Sequence, residues 1–579
     1  MIGVSIVLGS GVTSTRGLNS IKESWHKYEC LELRDNISVS YKYYNGYPIN
    51  NWRYKDCLII IEGIIFNFDD AIIQSKLNSI VDKSFDKNEI ASFVNSADGD
   101  FCIYIINVSR NSLIVFNDIL GGLPVFYALE KNTFYVSREY GLISQNLKSK
   151  SWNPDNIAEF LTYGYNLKER TFSNSILKLE PASCIFVNYS DVIRCNCETL
   201  YVEDFGLTNQ YNSKDEAAKD LARLFEESCR RRVTYAQKNG YTIINDLSGG
   251  FDSRTILGGI EKCTQDYINL TYEYIRDESP IAKSVLKAVD SKSKYIKLKF
   301  DNTPNLYDTR LTYNTDGRIN VYTNSVCYND MYGVHEYFGD KKILEFGGFG
   351  GEFIRHPRFS VLVPFSRIGV TYSPTYNITS RICNSTPKKL INMFKDAFSR
   401  CGKRKRESLF KDLYNEYYQN MVRCSGEDRS RMFYFTVMPM MGKDFIMAIR
   451  HRLPLGWVGF EFYKEFLKNI DSRLITVPIF GQEEHYLDNK NLQKIDFKRR
   501  VTEKFVAPIR FLVNNFTNHE LSREEKTLSY NDIENYLEFI DNQKIINKNY
   551  LEKHYKYLNK QIKLNLLAIV QFIDTVEKR

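Results

Sequence analysis

The stretch 245-NDLSGGFDSRTIL-257 decides the fold. Ser248, Gly249 and Gly250 follow one apolar run, and Asp252-Ser253-Arg254 opens another. A strand that enters a helix through such a turn exposes successive backbone N–H groups. With no Cβ atoms in the way, those donors converge on anionic oxygens, helped by the helix dipole. Ser248 and Ser253 add hydroxyl groups. Asp252 would repel a bare phosphate, so its presence implies a cation between the two, Mg²⁺ bridging a carboxylate to a polyphosphate. No GxxxxGK[ST] run occurs, which excludes a Walker loop. The plainer reading is a tight turn that merely needed small residues. The five fixed letters of S-G-G-x-D-S, with a strand before and a helix after, favour a bound anion.

Outward from this loop the chain alternates. Ser213 and Glu216 form a capping-box pattern, and Ala218, Leu221, Ala222, Phe225 and Cys229 recur at helical spacing up to Gly240, which predicts a helix of about 25 residues. Then follow a strand (241–247), the loop, a helix (253–263), a strand (267–275), a helix (279–290) and a strand (295–300). This order predicts a doubly wound parallel sheet with its ligands at the carboxyl ends of the strands. Beyond residue 380 the reading is helical, with amphipathic segments near 387–421, 426–450 and 529–577. On the other side, segments 56–68, 99–107, 112–118, 124–130 and 133–139 are rich in Ile, Val, Phe and Tyr and predict an antiparallel β-rich domain with few helices. The polar stretch 204–214 reads as the linker.

With 579 residues, two or more cores are expected. The 78 basic and 70 acidic residues, a net +8, are mixed rather than gathered into a basic face, so nucleic acid is not an expected partner. Twelve cysteines without a CxxC pair fit reduced structural thiols in a cytoplasm, with Cys195 and Cys197 neighbours on one strand face. The start lacks a basic region, and there is no apolar span of about 20 residues, so neither a signal peptide nor a membrane segment is expected. The seven histidines lack metal-ligand spacing. The run 403-KRKR-406 reads as a solvated helix end.

A second bare stretch, 344-LEFGGFGGEFI-354, carries Gly347, Gly348, Gly350 and Gly351 beside Glu352. Alone it is weak evidence, since glycines also serve bends and close packing. Together the motifs carry a resemblance. "LSGGFDSR" looks like the pyrophosphate loop of N-type ATP pyrophosphatases, and the chain resembles the asparagine synthetase family, with its relatives β-lactam synthetase and the lasso-peptide cyclases. "GDFCIYIIN", "NDILGGLPVFYAL", "FYVSREYGLI", "EFLTYGYNLKERTFSNSILKLEPAS" and "TYEYIRDESPIAKSV" follow the family's order and spacing. The resemblance implies an α/β two-domain chain. Residues 1–204 would form an N-terminal antiparallel β-sandwich like a degenerate Ntn glutaminase. Residues 212–579 would form a C-terminal doubly wound parallel synthetase domain of the adenine nucleotide hydrolase-like kind, with a helical C-terminal part. Asp118 and Gly121 would be fold-maintaining turn residues.

By the same resemblance ATP and Mg²⁺ are the cofactors. Ser248, Gly249, Gly250, Asp252 and Ser253 would hold pyrophosphate, and Asp252 and Glu352 would share the metal. The main chain around Leu247, Tyr272, Gly347 and Gly348 would hold adenosine. Lys498, with Lys504 as the neighbouring alternative, would stabilise the adenylation transition state. The departures are as informative. Ile2 stands where a glutamine-hydrolysing member has its nucleophilic cysteine, and Glu62-Gly63-Ile64-Ile65-Phe66-Asn67 replaces the family's N-G-E-I-Y-N. Phe349 stands where relatives carry a glutamate or tyrosine used in deprotonating the nucleophile. The aspartate of the family's "PLLD" is missing from 450–467.

The expected activity is therefore an ATP-dependent, AMP-forming ligase that adenylates a carboxylate on a small molecule, peptide or saccharide and passes it to an amine of undetermined source, without glutamine hydrolysis. A cyclase of the β-lactam or lasso-peptide kind, asparagine synthesis itself, a non-catalytic nucleotide binder and an RNA-modifying ATP pyrophosphatase are the alternatives. A homodimer is left open.

Overall fold

The computed structural model describes residues 2–9, 23–34, 36–189, 192–200, 209–273, 277–299, 304–355, 376–398, 428–479, 528–541 and 545–578. Two six-stranded antiparallel sheets build the N-terminal domain. One runs, edge to edge, Ile176–Lys178, Phe126–Glu130, Thr133–Ser137, Gly3–Gly9, Ile37–Tyr43 and Lys27–Arg34. The other runs Arg194–Thr199, Ser183–Asn188, Ser112–Asn117, Gly99–Asn107, Cys57–Ile65 and Ile49–Tyr54. The period-two alternation of strand side chains divides their contacts between two cores. Leu58, Ile60, Tyr104 and Leu113 meet Val4, Ile6 and Leu8 inside the sandwich. Ile59, Ile61, Ile103 and Ile105 face outward, where helices Asp70–Asp82 and Lys87–Ser96 cover them.

That outer core continues without a break into the C-terminal half, through Leu221, Phe225, Ile243, Ile256 and Leu344. Helix Lys214–Lys238 has the expected length of 25 residues, and Ser213 Oγ accepts from the N–H of Glu216 at 3.1 Å. The returning half of the capping box is displaced by one residue. Glu216 Oε2 accepts from the N–H of Asn212, 2.9 Å away. A five-stranded, all-parallel sheet follows, in the order Lys294–Lys299, Ile268–Glu273, Thr242–Asp246, Ile343–Phe346 and Phe435–Val437. Helices Phe251–Glu261 and Ser279–Ala288 alternate with the strands as expected. The chain leaves the central strand in one direction and returns on its other side. The crevice between Thr242–Asp246 and Ile343–Phe346 is therefore the topological switch point.

Two readings need correction. Segment 426–450 is not continuously helical. It carries the edge strand Phe435–Val437, and its main helix begins only at Lys443. The helical C-terminal part does not belong to the second half alone. Helices Tyr376–Ile382, Asn531–Asp541 and Lys560–Lys578 pack with Pro154–Tyr163 of the N-terminal half in one core, through Ile157, Phe160, Ile382, Ile533, Leu567 and Phe572. Cys195 and Cys197 sit two apart on strand Arg194–Thr199, as free thiols. The first part of the linker, 204–208, lies outside the described residues, as does the 403–406 run. No helix among the described residues is long and apolar enough to cross a membrane.

Candidate functional site

Parallel pairing of Thr242–Asp246 with Ile343–Phe346 sets the two glycine turns side by side at the carboxyl ends of their strands. The fit is close enough to require glycine. Gly350 has φ +115°, a region that L side chains rarely adopt. A Cβ placed on Gly351 would stand 2.0 Å from Asp252 Oδ1, and one on Gly348 would stand 3.1 Å from the backbone nitrogen of Ser253. The second turn thus closes directly over the first.

Within the first turn the donors are already directed at oxygen. Ser248 N–H donates to Ser253 Oγ at 3.1 Å, and Gly250 N–H to Ser248 Oγ at 3.2 Å. Gly249 N–H donates to Glu278 Oε2 at 2.7 Å. A carboxylate oxygen therefore lies where an anionic ligand would seat one, at the N-terminus of helix Phe251–Glu261. Arg254 fixes the turn from beneath. It donates to Gly249 O and Gly250 O at 3.0 Å each, and also to the carbonyls of Leu474, Val477 and Pro478.

Asp252 and Glu352 both lie within reach of one arginine. Arg355 Nη2 is 2.9 Å from Asp252 Oδ2 and 3.6 Å from Glu352 Oε1. Tyr463 donates to Asp252 Oδ1 at 3.1 Å and shares a 2.6 Å hydrogen bond with Thr255. Burial lifts the Asp252 carboxyl to about 6. The guanidinium of Arg355 opposes that rise, and the neighbouring Glu352 adds to it. Glu352 Oε2 is buried with no hydrogen-bond partner among the described residues. An orphaned carboxylate oxygen beside a second carboxylate is a donor set that suits Mg²⁺, which takes one or two carboxylates and completes its shell with phosphate and water. Among the described residues no cluster of three or more metal-ligating side chains occurs.

Leu247, Tyr272, Gly347 and Gly348, the positions the resemblance implies for adenosine, sit at the same strand ends, and part of their main chain is committed to the sheet. Leu247 N–H donates to Leu270 O at 2.7 Å, Leu247 O accepts from Thr271 Oγ1 at 2.7 Å, and Gly347 N–H donates to Val437 O at 2.9 Å. Tyr272 donates to Asp246 Oδ1 at 2.8 Å. Asp246 and Glu345 form a second acidic pair at these strand ends. Burial raises the Asp246 carboxyl, and hydrogen bonds from Glu345 and Tyr272 partly offset it, while Thr436 donates to Glu345. Phe349 is half exposed at 49% and offers no base. Lys498 and Lys504 lie outside the described residues.

Arg355, Tyr463, Glu278 and the Asp246–Glu345 pair escaped the sequence reading. The available signals were an arginine three residues after Glu352, and acids at the ends of two strands, Asp246 after Asn245 and Glu345 between Leu344 and Phe346.

In the N-terminal half, Glu62 is fully buried. It accepts from Val4 N at 3.0 Å, Arg138 Nε at 2.9 Å and the hydroxyls of Tyr47 and Tyr104. Asp118 organises the 118–122 turn by accepting from the N–H groups of Phe101, Leu120 and Gly122. Residues 48–196 match the glutamine amidotransferase domain family. The amidotransferase-type domain thus covers most of the sandwich.

Among solved structures, glutamine phosphoribosylpyrophosphate amidotransferase from B. subtilis, complexed with ADP and GMP, is 11% identical over 47% of this chain and 59% of its own, with a TM-score of 0.21. A structure described as the allosteric regulatory enzyme of purine biosynthesis is 10% identical over 53% of this chain and 70% of its own, also with a TM-score of 0.21. This chain spans less than two thirds of the first of them, and likenesses at that score carry no structural argument. No curated protein matches the chain.

Proposed function

We propose that this chain is an ATP-dependent ligase that adenylates a substrate carboxylate, releases pyrophosphate and transfers the acyl group to an amine without hydrolysing glutamine. The observation that carries the reading is the closure of one glycine turn over the other, which brings Asp252 and Glu352 to a single guanidinium. Asp252 and Glu352 would hold Mg²⁺, which would neutralise charge growing on the leaving pyrophosphate. The Ser248–Ser253 turn would grip that leaving group, with the Gly249 N–H exchanging its Glu278 partner for a phosphate oxygen. The ends of the two central strands would seat the adenosine, and Lys498 would stabilise the adenylation transition state. Activation as an acyl-adenylate replaces a poor leaving group with a good one.

In the N-terminal half, Ile2 is buried and offers no nucleophilic atom, and Glu62 is saturated by internal donors. Both features support an amidotransferase-type domain retained as a brace. The test is ATP–pyrophosphate exchange across a panel of small-molecule, peptide and sugar carboxylates with Mg²⁺ present. Exchange with at least one carboxylate, lost in Asp252→Asn by a factor of about 100 or more, supports the reading. Nucleotide binding without exchange on any carboxylate would identify a non-catalytic binder instead.

A further inference from the structure

The cation between Asp252 and Glu352 belongs to the chain itself. Arg355 reaches both carboxylates, and all three side chains are mostly buried, at 16, 20 and 23% exposure for Arg355, Asp252 and Glu352. Its guanidinium also lies 5.4, 5.8 and 5.9 Å from the ring centres of Tyr463, Phe251 and Phe460. Arg254 is different. It is spent on five backbone carbonyls and holds the loop in shape.

One guanidinium facing two carboxylates leaves a single net negative charge, and Glu352 Oε2 unpartnered. A divalent ion that arrives alone must displace Arg355 from Asp252 Oδ2, stranding a guanidinium among aromatic rings, where it has lost its carboxylate. A divalent ion that arrives with a polyphosphate gives the displaced guanidinium a new anion, for which its fork of donors is well suited.

We propose that Arg355 holds the metal's place between Asp252 and Glu352 while nucleotide is absent and moves onto phosphate oxygens when metal and nucleotide enter, so that each strengthens binding of the other. The inference rests on the reading of Asp252 and Glu352 as metal ligands. By linkage the coupling is reciprocal.

The test uses the full chain with Mn²⁺ as the probe, followed by its electron paramagnetic resonance signal and without any measurement of turnover. Native protein binds Mn²⁺ alone weakly, and inorganic pyrophosphate tightens that binding by about tenfold or more. In Arg355→Gln the competitor is gone, so Mn²⁺ alone binds about tenfold tighter than to native protein and pyrophosphate adds little. Arg355→Lys, which keeps the charge but loses the fork, falls between the two. It serves as the decisive variant if Arg355→Gln melts early. Mn²⁺ binding that is unchanged or weaker in these variants overturns the inference. If Mn²⁺ binding tightens as stated while the chain exchanges pyrophosphate with no carboxylate, the adenylation reading falls and the role of Arg355 stands. If exchange is robust and Mn²⁺ binding is indifferent to Arg355, only the present inference falls.

Discussion

Arg138 and Glu62 meet in full burial, with Nε 2.9 Å from Oε1, and the other arm of Arg138 reaches Asp428 across the boundary between the two halves of the chain. The pair is held in place on every side, because Glu62 also accepts from Val4 and Tyr47. Removing one member leaves a buried charge without compensation. Arg138→Met is expected to cost about 3–5 kcal/mol in urea unfolding, and adding Glu62→Gln to recover part of that loss. A loss below about 1 kcal/mol for the single variant would show the network to be dispensable.

Glu62 is committed to internal hydrogen-bond donors, and the proposed ligase takes its nitrogen from a source other than glutamine. Ammonium or a substrate amine is therefore expected to support product formation where glutamine does not. Glutamate release from glutamine, followed with the purified chain, should stay at the background rate. Release above it would return the amidotransferase-type domain to catalytic service.

His26 gives the assembly a defined acid sensitivity. Its Nε2–H donates to Met432 O at 2.9 Å, and its Nδ1 accepts from Glu23 N–H at 3.4 Å, so both ring nitrogens are satisfied only in the neutral form. Burial, with nearby Lys42, holds its pKa at about 3 instead of 6.5. Between those two values the unfolded chain takes up a proton that the folded chain refuses, so stability falls as pH drops through that window, by about 1.4 kcal/mol per pH unit. Between pH 7 and pH 5 the unfolding free energy from urea titration should fall by about 2 kcal/mol more for native protein than for His26→Gln. Equal losses would dismiss the assignment.

Gly351→Ala probes the closure of the two turns. The added methyl would meet Asp252 Oδ1 at 2.0 Å, so the carboxylate must turn away from Arg355 and Tyr463. Binding of Mg²⁺–ATP should weaken by about 100-fold, while the thermal midpoint moves by only a few degrees, because the disturbance is confined to one turn. Unchanged nucleotide binding would separate the glycine turns from the ligand.

The parts legible in the sequence share one property: their determinants are local. The turn from Asp246 to Phe251, the cap at Ser213 and the glycines from Gly347 to Gly351 announce themselves through residues a few positions apart. Strand Phe435–Val437 does not. Three residues among methionines and aromatics read as part of a helix, and they become a strand only because the edge of Ile343–Phe346 supplies hydrogen bonds. Tyr463 was hidden for the same reason. Tyr463 lies 211 positions from Asp252, and no spacing rule joins them. Asp252 was singled out by its own glycine turn, and Glu352 by the family resemblance of the second one.

The charged contacts between the halves bear on how the protein is made. Arg138 and Asp100 belong to strands and turns that leave the ribosome early, yet their partners Asp428 and Arg431 come some three hundred residues later. Until that late segment emerges, Arg138 lacks Asp428 and Asp100 lacks Arg431, and the parallel sheet lacks its last strand. The two halves therefore complete one another only late in translation, and a fragment cut at the linker would expose the apolar surface that meets Leu221, Phe225 and Leu344 in the shared core.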